Sequence, residues 1–202
     1  MNNTLYNLIK EDLSSMTNYM IDIGTRDVKT SNAMPFIERE YNTLLIEANP
    51  SQIPLIKKEM EDINGNIWLV DKAIYKHDGK ITFIDSPYPT IGHSRIENDN
   101  FKKIKWKTEK AKEIEVECIT LQTLFQLYPE FFNADVISID VEGNDEIILE
   151  QIIETNFNPL YIFVEDMNNK KRKEVQYKMM NSYHYNLIGY YDNNNNALFK
   201  KK

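Results

Sequence analysis

Residues Tyr19–Ser31, YMIDIGTRDVKTS, decide how this chain is read. The run Met20–Ile23 is too apolar for a strand with one wet face and fits a strand covered on both sides. Gly24 turns the chain, and a helix is expected over Lys29–Glu40. Asp22 stands at the carboxyl end of the strand, two residues before the glycine. Ligands of open α/β sheets bind outside the carboxyl ends of parallel strands. The stretch therefore opens a candidate cofactor site.

The same pattern recurs outward from it. Thr43–Glu47 (TLLIE) is a second buried strand, Ile53–Met60 carries helical spacing, and Ile67–Val70 is a third strand. Ala134–Asp140 (ADVISID) and Leu160–Glu165 (LYIFVE) continue the series, with a helix over Asp145–Thr155 between them. Strands alternating with helices across short connections predict a doubly wound α/β fold with a largely parallel sheet. Leu5, Leu8, Ile9 and Leu13 fall on one face of a leading helix within residues 1–17. Lys80–Ile84 reads as a short strand. Glu113–Ile119 alternates charged with apolar residues and reads as a strand near an edge. Thr120 is placed to cap a helix over Thr120–Tyr128. Lys170–Asn181 is basic and helical. Tyr185–Tyr191 and Ala197–Phe199 form an antiparallel pair across the asparagine run Asn193–Asn196. Residues 85–112, with Pro87, Pro89 and Gly92, form a long connection of the kind that covers a binding site.

Composition narrows the class. The chain has 202 residues, of which 42% are hydrophobic and 27% charged, enough for one buried core over 1–202. No apolar run approaches the roughly 20 residues needed to span a bilayer, and the first residues lack the basic-then-apolar pattern of a signal peptide. Cys118 is the only cysteine, so an internal disulfide framework is excluded and a reducing cytoplasm is the simplest setting. The net charge of −7 offers no basic footprint for nucleic acid; the lysines of 102–112 read as a solvated face.

Three strands end in acids: Asp22, Glu47 and Asp140. An acid ending the second strand is placed to accept hydrogen bonds from ribose hydroxyls. Each acid alone also fits a helix cap; three in matching positions favour a site. A dinucleotide loop would need further glycines near a pyrophosphate, yet Gly24 is followed by Thr25, Arg26, Asp27 and Val28. No P-loop lysine is present. S-Adenosylmethionine (SAM) carries a ribose, a sulfonium and an α-ammonium but no phosphate. One glycine among several acids suits it better.

A second stretch, Val136–Gly143 (VISIDVEG), places Asp140 and Glu142 at a strand end, with Gly143 turning into the next helix. With IDIGTRD, LLIEANP, DKAIYKHDGKITF, ITLQTLF, VISIDVEGNDEIILE and YIFVED in this order, the chain resembles the FkbM-type SAM-dependent methyltransferases over about residues 19–200. The resemblance implies a Rossmann-like class I methyltransferase fold: a seven-stranded, mostly parallel sheet with an antiparallel last strand and helices on both faces. It implies O-methylation, often of a sugar or polyketide-like hydroxyl; a glycan acceptor is the expectation. Carried over, Asp22, Gly24 and the adjoining Thr25 match the first cofactor motif, and Glu47 with Ala48 the ribose-binding acid. Asp71, Lys72 and Ala73 match the segment near the adenine, and Asp140 and Glu142 the acids of the I-D-V-E-G motif. Ser94 resembles the serine of the central loop. Val28 departs from the family, which commonly has a glycine there; a side chain at that position would narrow the methionine end of the pocket.

Asp140 and Glu142 are the candidate catalytic pair, one to orient the ammonium and the other to bind or deprotonate the acceptor hydroxyl. Glu142 also fits a cap for the helix near Asp145. His93 has the intrinsic pKa of a general base and equally fits an exposed loop residue. Glu165 and Asp166 end the fifth strand and could line the acceptor pocket. Asp140, Glu142, His93 and Glu165 could together bind a divalent metal, but one histidine among them and unrelated spacings make this the weaker reading, and no metal is expected. The rival readings are a catalytically silent methyltransferase-like module and an NAD- or nucleotide-sugar-dependent enzyme.

Overall fold

The computed structural model describes residues 4–85, 95–96, 112–165, 174, 184–191 and 196–202. Its main sheet has seven strands, introduced here with the helices in chain order. After α1 (Thr4–Ile9) come β1 (Tyr19–Ile23), α2 (Met34–Ile37), β2 (Asn42–Ile46), α3 (Ile53–Asp62), β3 (Ile67–Val70), β4 (Ala73–Ile74), β5 (Gly79–Asp85), β6 (Arg95–Ile96) and β7 (Lys112–Ile119). Then follow α4 (Leu121–Leu127), β8 (Val136–Ile139), α5 (Asp145–Glu154), β9 (Tyr161–Glu165), β10 (Tyr185–Tyr191) and β11 (Asn196–Lys201). The strand order is β10-β11-β9-β8-β1-β2-β3. Strands β3, β2, β1, β8 and β9 pair in parallel. The last strand, β11, runs antiparallel between β9 and β10. This is the sheet the sequence pointed to.

Both faces of the parallel strands are covered, which is why those strands carry few polar side chains. On one face Ile21, Ile23, Leu44, Ile46, Ile137 and Ile139 pack against α4 and α5 through Leu121, Leu124, Ile148 and Ile152. On the other, Met20, Leu45, Val136 and Phe163 pack against Leu5 and Ile9 of α1, Phe36 and Ile37 of α2, and Ile56 of α3. Asp22 and Ser138 interrupt this second face. They are register partners on β1 and β8, and alternation puts both side chains on the side of Met20 and Val136.

Three local expectations change. The helix expected over Lys29–Glu40 shortens to Met34–Ile37. Asp27 Oδ1 accepts the Thr30 N–H at 2.8 Å, and the Ser31 hydroxyl donates to the Val28 carbonyl at 3.0 Å. These side chains satisfy backbone groups in turns and compete with helical pairing. The leading helix gives way to a 3-10 turn over Lys10–Ser15; Leu5 and Ile9 are buried, while Leu8 faces solvent. The Glu113–Ile119 strand is not at an edge of the main sheet. As β7 it belongs to a second, four-stranded sheet of order β4-β7-β5-β6, which the sequence did not suggest. Its alternation reflects one face packed on Phe83, Ile96 and Ala73 and the other in water. Thr120 caps α4 as expected, its hydroxyl accepting from Thr123 N at 3.1 Å. The basic stretch Lys170–Asn181, apart from Glu174, and most of the 85–112 connection lie outside the described residues.

Candidate active site

The carboxyl ends of β1, β2 and β8 are aligned by backbone hydrogen bonds that run past the strands. Gly24 N donates to Ile46 O at 2.9 Å, Asp140 N to Ile23 O at 2.9 Å, and Glu47 N to Val70 O at 3.1 Å. Gly24 has φ +88°, and a Cβ there would lie 1.8 Å from the Asp140 carbonyl oxygen. Only glycine permits this approach.

A cleft opens at these ends. It is lined by Asp22, Gly24, Thr25, Glu47, Ala48, Lys72, Ala73, Asp140 and Glu142 among the residues expected from sequence. Asp71 precedes this wall, exposed at the end of β3 and outside the lining. Glu165 ends β9, the strand beside β8, and likewise does not line the cleft. His93, Ser94 and Asp166 lie outside the described residues. Sequence reasoning missed Arg26, Asn32, Asn49, Phe83 and Ile96, which complete the walls. Phe83 and Ile96 come from the second sheet, so their place depends on a pairing with no local signature. Asn32 was hidden inside the expected helix.

The acids are held differently. Glu47 is buried; its Oε2 accepts the Arg26 N–H at 2.8 Å and its Oε1 the Asn49 N–H at 2.6 Å. Burial raises its carboxyl above the ordinary value, and the N–H groups of Asn49, Arg26 and Ala48 oppose that rise. Asp22 is buried and shares a hydrogen-bond contact of 3.2 Å with the Thr25 hydroxyl. Burial pushes it up to about 6, against the hydroxyls of Ser138 and Thr25, with Glu47 and Asp27 adding to the rise. Asp140 reaches the solvent of the cleft, but the walls surround it. That loss of bulk hydration, followed by the charges of Glu142, Asp145 and Asp22, raises it to about 7.

Beyond Asp140 the chain makes a tight loop. Glu142 has φ +55° and Gly143 φ +108°. The fully buried Asp145 carboxylate accepts Val141 N and Gly143 N, each at 3.1 Å, and so fixes the loop that carries Glu142. Glu142 lines the cleft, and Asn144 rather than Glu142 occupies the N-cap position of α5.

Val28 does not narrow the pocket. Its side chain is fully buried in the second-face core with Met20, Ala33 and Phe36. It is absent from the cleft lining. Its N–H donates at 2.8 Å to Oε2 of Glu59, a buried acid of α3.

The Methyltransferase FkbM domain family model matches residues 22–192. The chain belongs to that family. No curated protein matches it in sequence. A Staphylococcus aureus protein provisionally called a caffeoyl-CoA O-methyltransferase shares the fold, with TM-score 0.53 and 11% identity over 100% of this chain and 85% of its own. The SAH-bound methyltransferase PaMTH1 from Podospora anserina scores 0.47 at 9% identity, covering 92% of this chain and 72% of its own. A Burkholderia thailandensis 1,6-didemethyltoxoflavin-N1-methyltransferase scores 0.44 at 8% identity, over 98% and 77%. The FkbM-domain protein thus has the class I methyltransferase fold, and its cofactor is SAM.

The walls suit that cofactor. Acids at three strand ends meet a molecule with two cationic centres, Gly24 leaves room for close backbone approach, and Ala73, Ile74, Phe83 and Ile96 supply an apolar side. Among the described residues no group of three or more His, Cys, Asp or Glu side chains converges on a metal position. No described helix is long and apolar enough to cross a membrane.

Proposed function

We propose that this FkbM-domain protein methylates a hydroxyl oxygen, that of a sugar in a glycan or glycoconjugate. The observation that carries the reading is the convergence of Asp22, Glu47, Asp140 and Glu142 on one cleft, from three adjacent strands. When bound, SAM supplies an electrophilic methyl group on a sulfonium. Glu47, at the end of β2, takes the ribose hydroxyls while its other hydrogen bonds fix the Gly24–Arg26 loop. Ala48, Lys72 and Ala73 flank the base, with Asp71 at the edge of that wall. Asp22 and Asp140 hold the ammonium and balance the positive charge of the cofactor.

The acceptor hydroxyl would have to be held in line with the transferable methyl group, with reacting atoms about 3–3.5 Å apart. Glu142 stands on the cleft side of a loop that Asp145 locks in place, where it orients that hydroxyl or accepts its proton. The cleft walls and the charges of Glu142, Asp145 and Asp22 raise the Asp140 carboxyl toward the range in which a carboxylate exchanges a proton near neutral pH. The wall from Arg26 through Thr30, Ser31 and Asn32 is wholly polar, which supports a polyhydroxylated acceptor. On sequence alone, residues 85–112 are proposed as a substrate loop contributing His93 and Ser94 to the acceptor side, with Glu165 and Asp166 as further acceptor contacts. The single catalytic domain spans residues 1–202 and works in the cytoplasm on a small-molecule or glycan acceptor.

Transfer of labelled methyl from SAM to a panel of free sugars, nucleotide sugars and oligosaccharides tests this. Label is expected in a base-stable ether, and Glu142→Gln is expected to slow transfer by about 10²-fold or more with SAM affinity nearly unchanged. Label on carboxyl or amine acceptors alone would overturn the oxygen-ether reading.

A further inference from the structure

Asp22 is a buried acid whose partners come from three separate elements. Its register partner across the parallel β1–β8 pair is Ser138, 1% exposed, whose side chain lies beside that of Asp22 on the same face of the sheet and favours its charged form. Asn32, just before α2, donates its Nδ2 hydrogen to Ser138 Oγ at 3.0 Å. A hydroxyl has one proton to give. With one oxygen lone pair engaged by the Asn32 amide, the Ser138 proton is left to turn toward the neighbouring Asp22. On the other side the Thr25 hydroxyl lies 3.2 Å from Asp22 Oδ2. Asn32 itself lines the cleft, so the relay runs from the cleft wall through the sheet face to the acid beneath the cofactor motif.

We propose that Ser138, oriented by Asn32, is a positioning residue that keeps Asp22 ionised for the cationic cofactor. This rests on the SAM-binding role given to Asp22 above. A polar side chain in the middle of an otherwise apolar buried strand needs a partner, and here Asn32 supplies one while the Asp22 carboxylate lies alongside. The charged groups facing Asp22 are Glu47 after β2, Asp140 after β8, and Asp27 in the loop after β1. These carboxylates oppose its ionisation, so the neutral donors Ser138 and Thr25 are what favours the charged form. Removing a hydrogen bond to a charged group is worth roughly one pH unit in its titration.

The test is a titration of aspartate-¹³Cγ-labelled full-length protein, with the Asp22 signal assigned by its loss in Asp22→Asn. Calorimetric SAM affinity is measured across the same pH range. Ser138→Ala is expected to move the Asp22 midpoint upward by about one unit and to weaken SAM severalfold at pH 6.5 but little at pH 8. Ser138→Thr, which keeps a hydroxyl, is expected to restore both. Asn32→Ala is expected to shift the Asp22 midpoint in the same direction by less, and it carries the test if Ser138→Ala does not fold. An Asp22 midpoint unmoved in Ser138→Ala, or in Asn32→Ala where that variant stands in, would overturn the proposal. So would one that Ser138→Thr shifts as far as Ser138→Ala does. If the carboxyl shifts as expected but the wild type binds no SAM, the tuning stands as a property of Asp22 and the cofactor role is what fails.

Discussion

A Cβ atom on Gly24 would sit 1.8 Å from the carbonyl oxygen of Asp140. The turn after β1 and the end of β8 thus touch backbone to backbone, and this contact sets the spacing between Asp22 and Asp140. Gly24→Ala must push the two strands apart and hold a left-handed φ with a side chain. The expected cost is about 3 kcal/mol or more, read as a lower urea midpoint. Loss of SAM binding should accompany it even where the variant remains folded.

Asp22 and Asp140 give the protein opposite pH responses with and without ligand. Their folded pKa values, about 6 and about 7, lie above the ordinary 3.8. The folded state therefore binds more protons between pH 4 and 7, and this contribution to stability is present at low pH and is lost as pH rises through that window. A cation prefers the ionised acids. SAM affinity should rise from pH 5.5 to 7.5 and then level off, with proton release on binding below pH 7. The demethylated product, which lacks the sulfonium charge, should show a shallower rise. Calorimetry in buffers of different ionisation enthalpy measures both.

Val28 tests where the departure from the family pattern acts. Its side chain faces the core and its N–H is held by Glu59. Val28→Gly should leave SAM affinity no better and cost about 2–4 kcal/mol through the lost packing and added chain freedom. Glu59→Ala leaves a buried N–H without its acceptor, at about 1–3 kcal/mol. Thermal denaturation of the two variants, beside SAM titrations, measures this.

Asp145 is the prop of the loop that carries Glu142. Asp145→Ala removes the acceptor of Val141 N and Gly143 N. Turnover should fall by more than SAM affinity does, because Glu142 loses its fixed position while Asp22 and Glu47 keep theirs. Steady-state kinetics with varied SAM and varied acceptor would show the fall in kcat.

The strand-end acids were legible because each interrupts an apolar run at the same end of its strand. Asp22, Glu47 and Asp140 each follow an apolar run that only a doubly covered strand explains, and the family motif around Asp140 and Glu142 reinforced them. Ser138 carried a signal too, as a polar residue in mid-strand, but its partner Asn32 lay in a segment read as helix. That segment failed because helical spacing in 29–40 says nothing about Asp27 and Ser31 capturing backbone groups locally. The second sheet was not legible. Its strands β5 and β7 are separated by most of the 85–112 connection, and pairing at that distance leaves no trace in local periodicity. Phe83 and Ile96 reach the cleft only through it.

Binding of SAM to the purified protein at pH 7.5, measured by calorimetry beside the Asp140→Asn variant, tests the central claim most directly. One saturable site is expected in the wild type, weakened about tenfold or more, or about 1.4 kcal/mol, in the variant. Folded wild-type protein that shows no saturable binding at millimolar SAM, or a variant that binds as tightly as wild type, would contradict it.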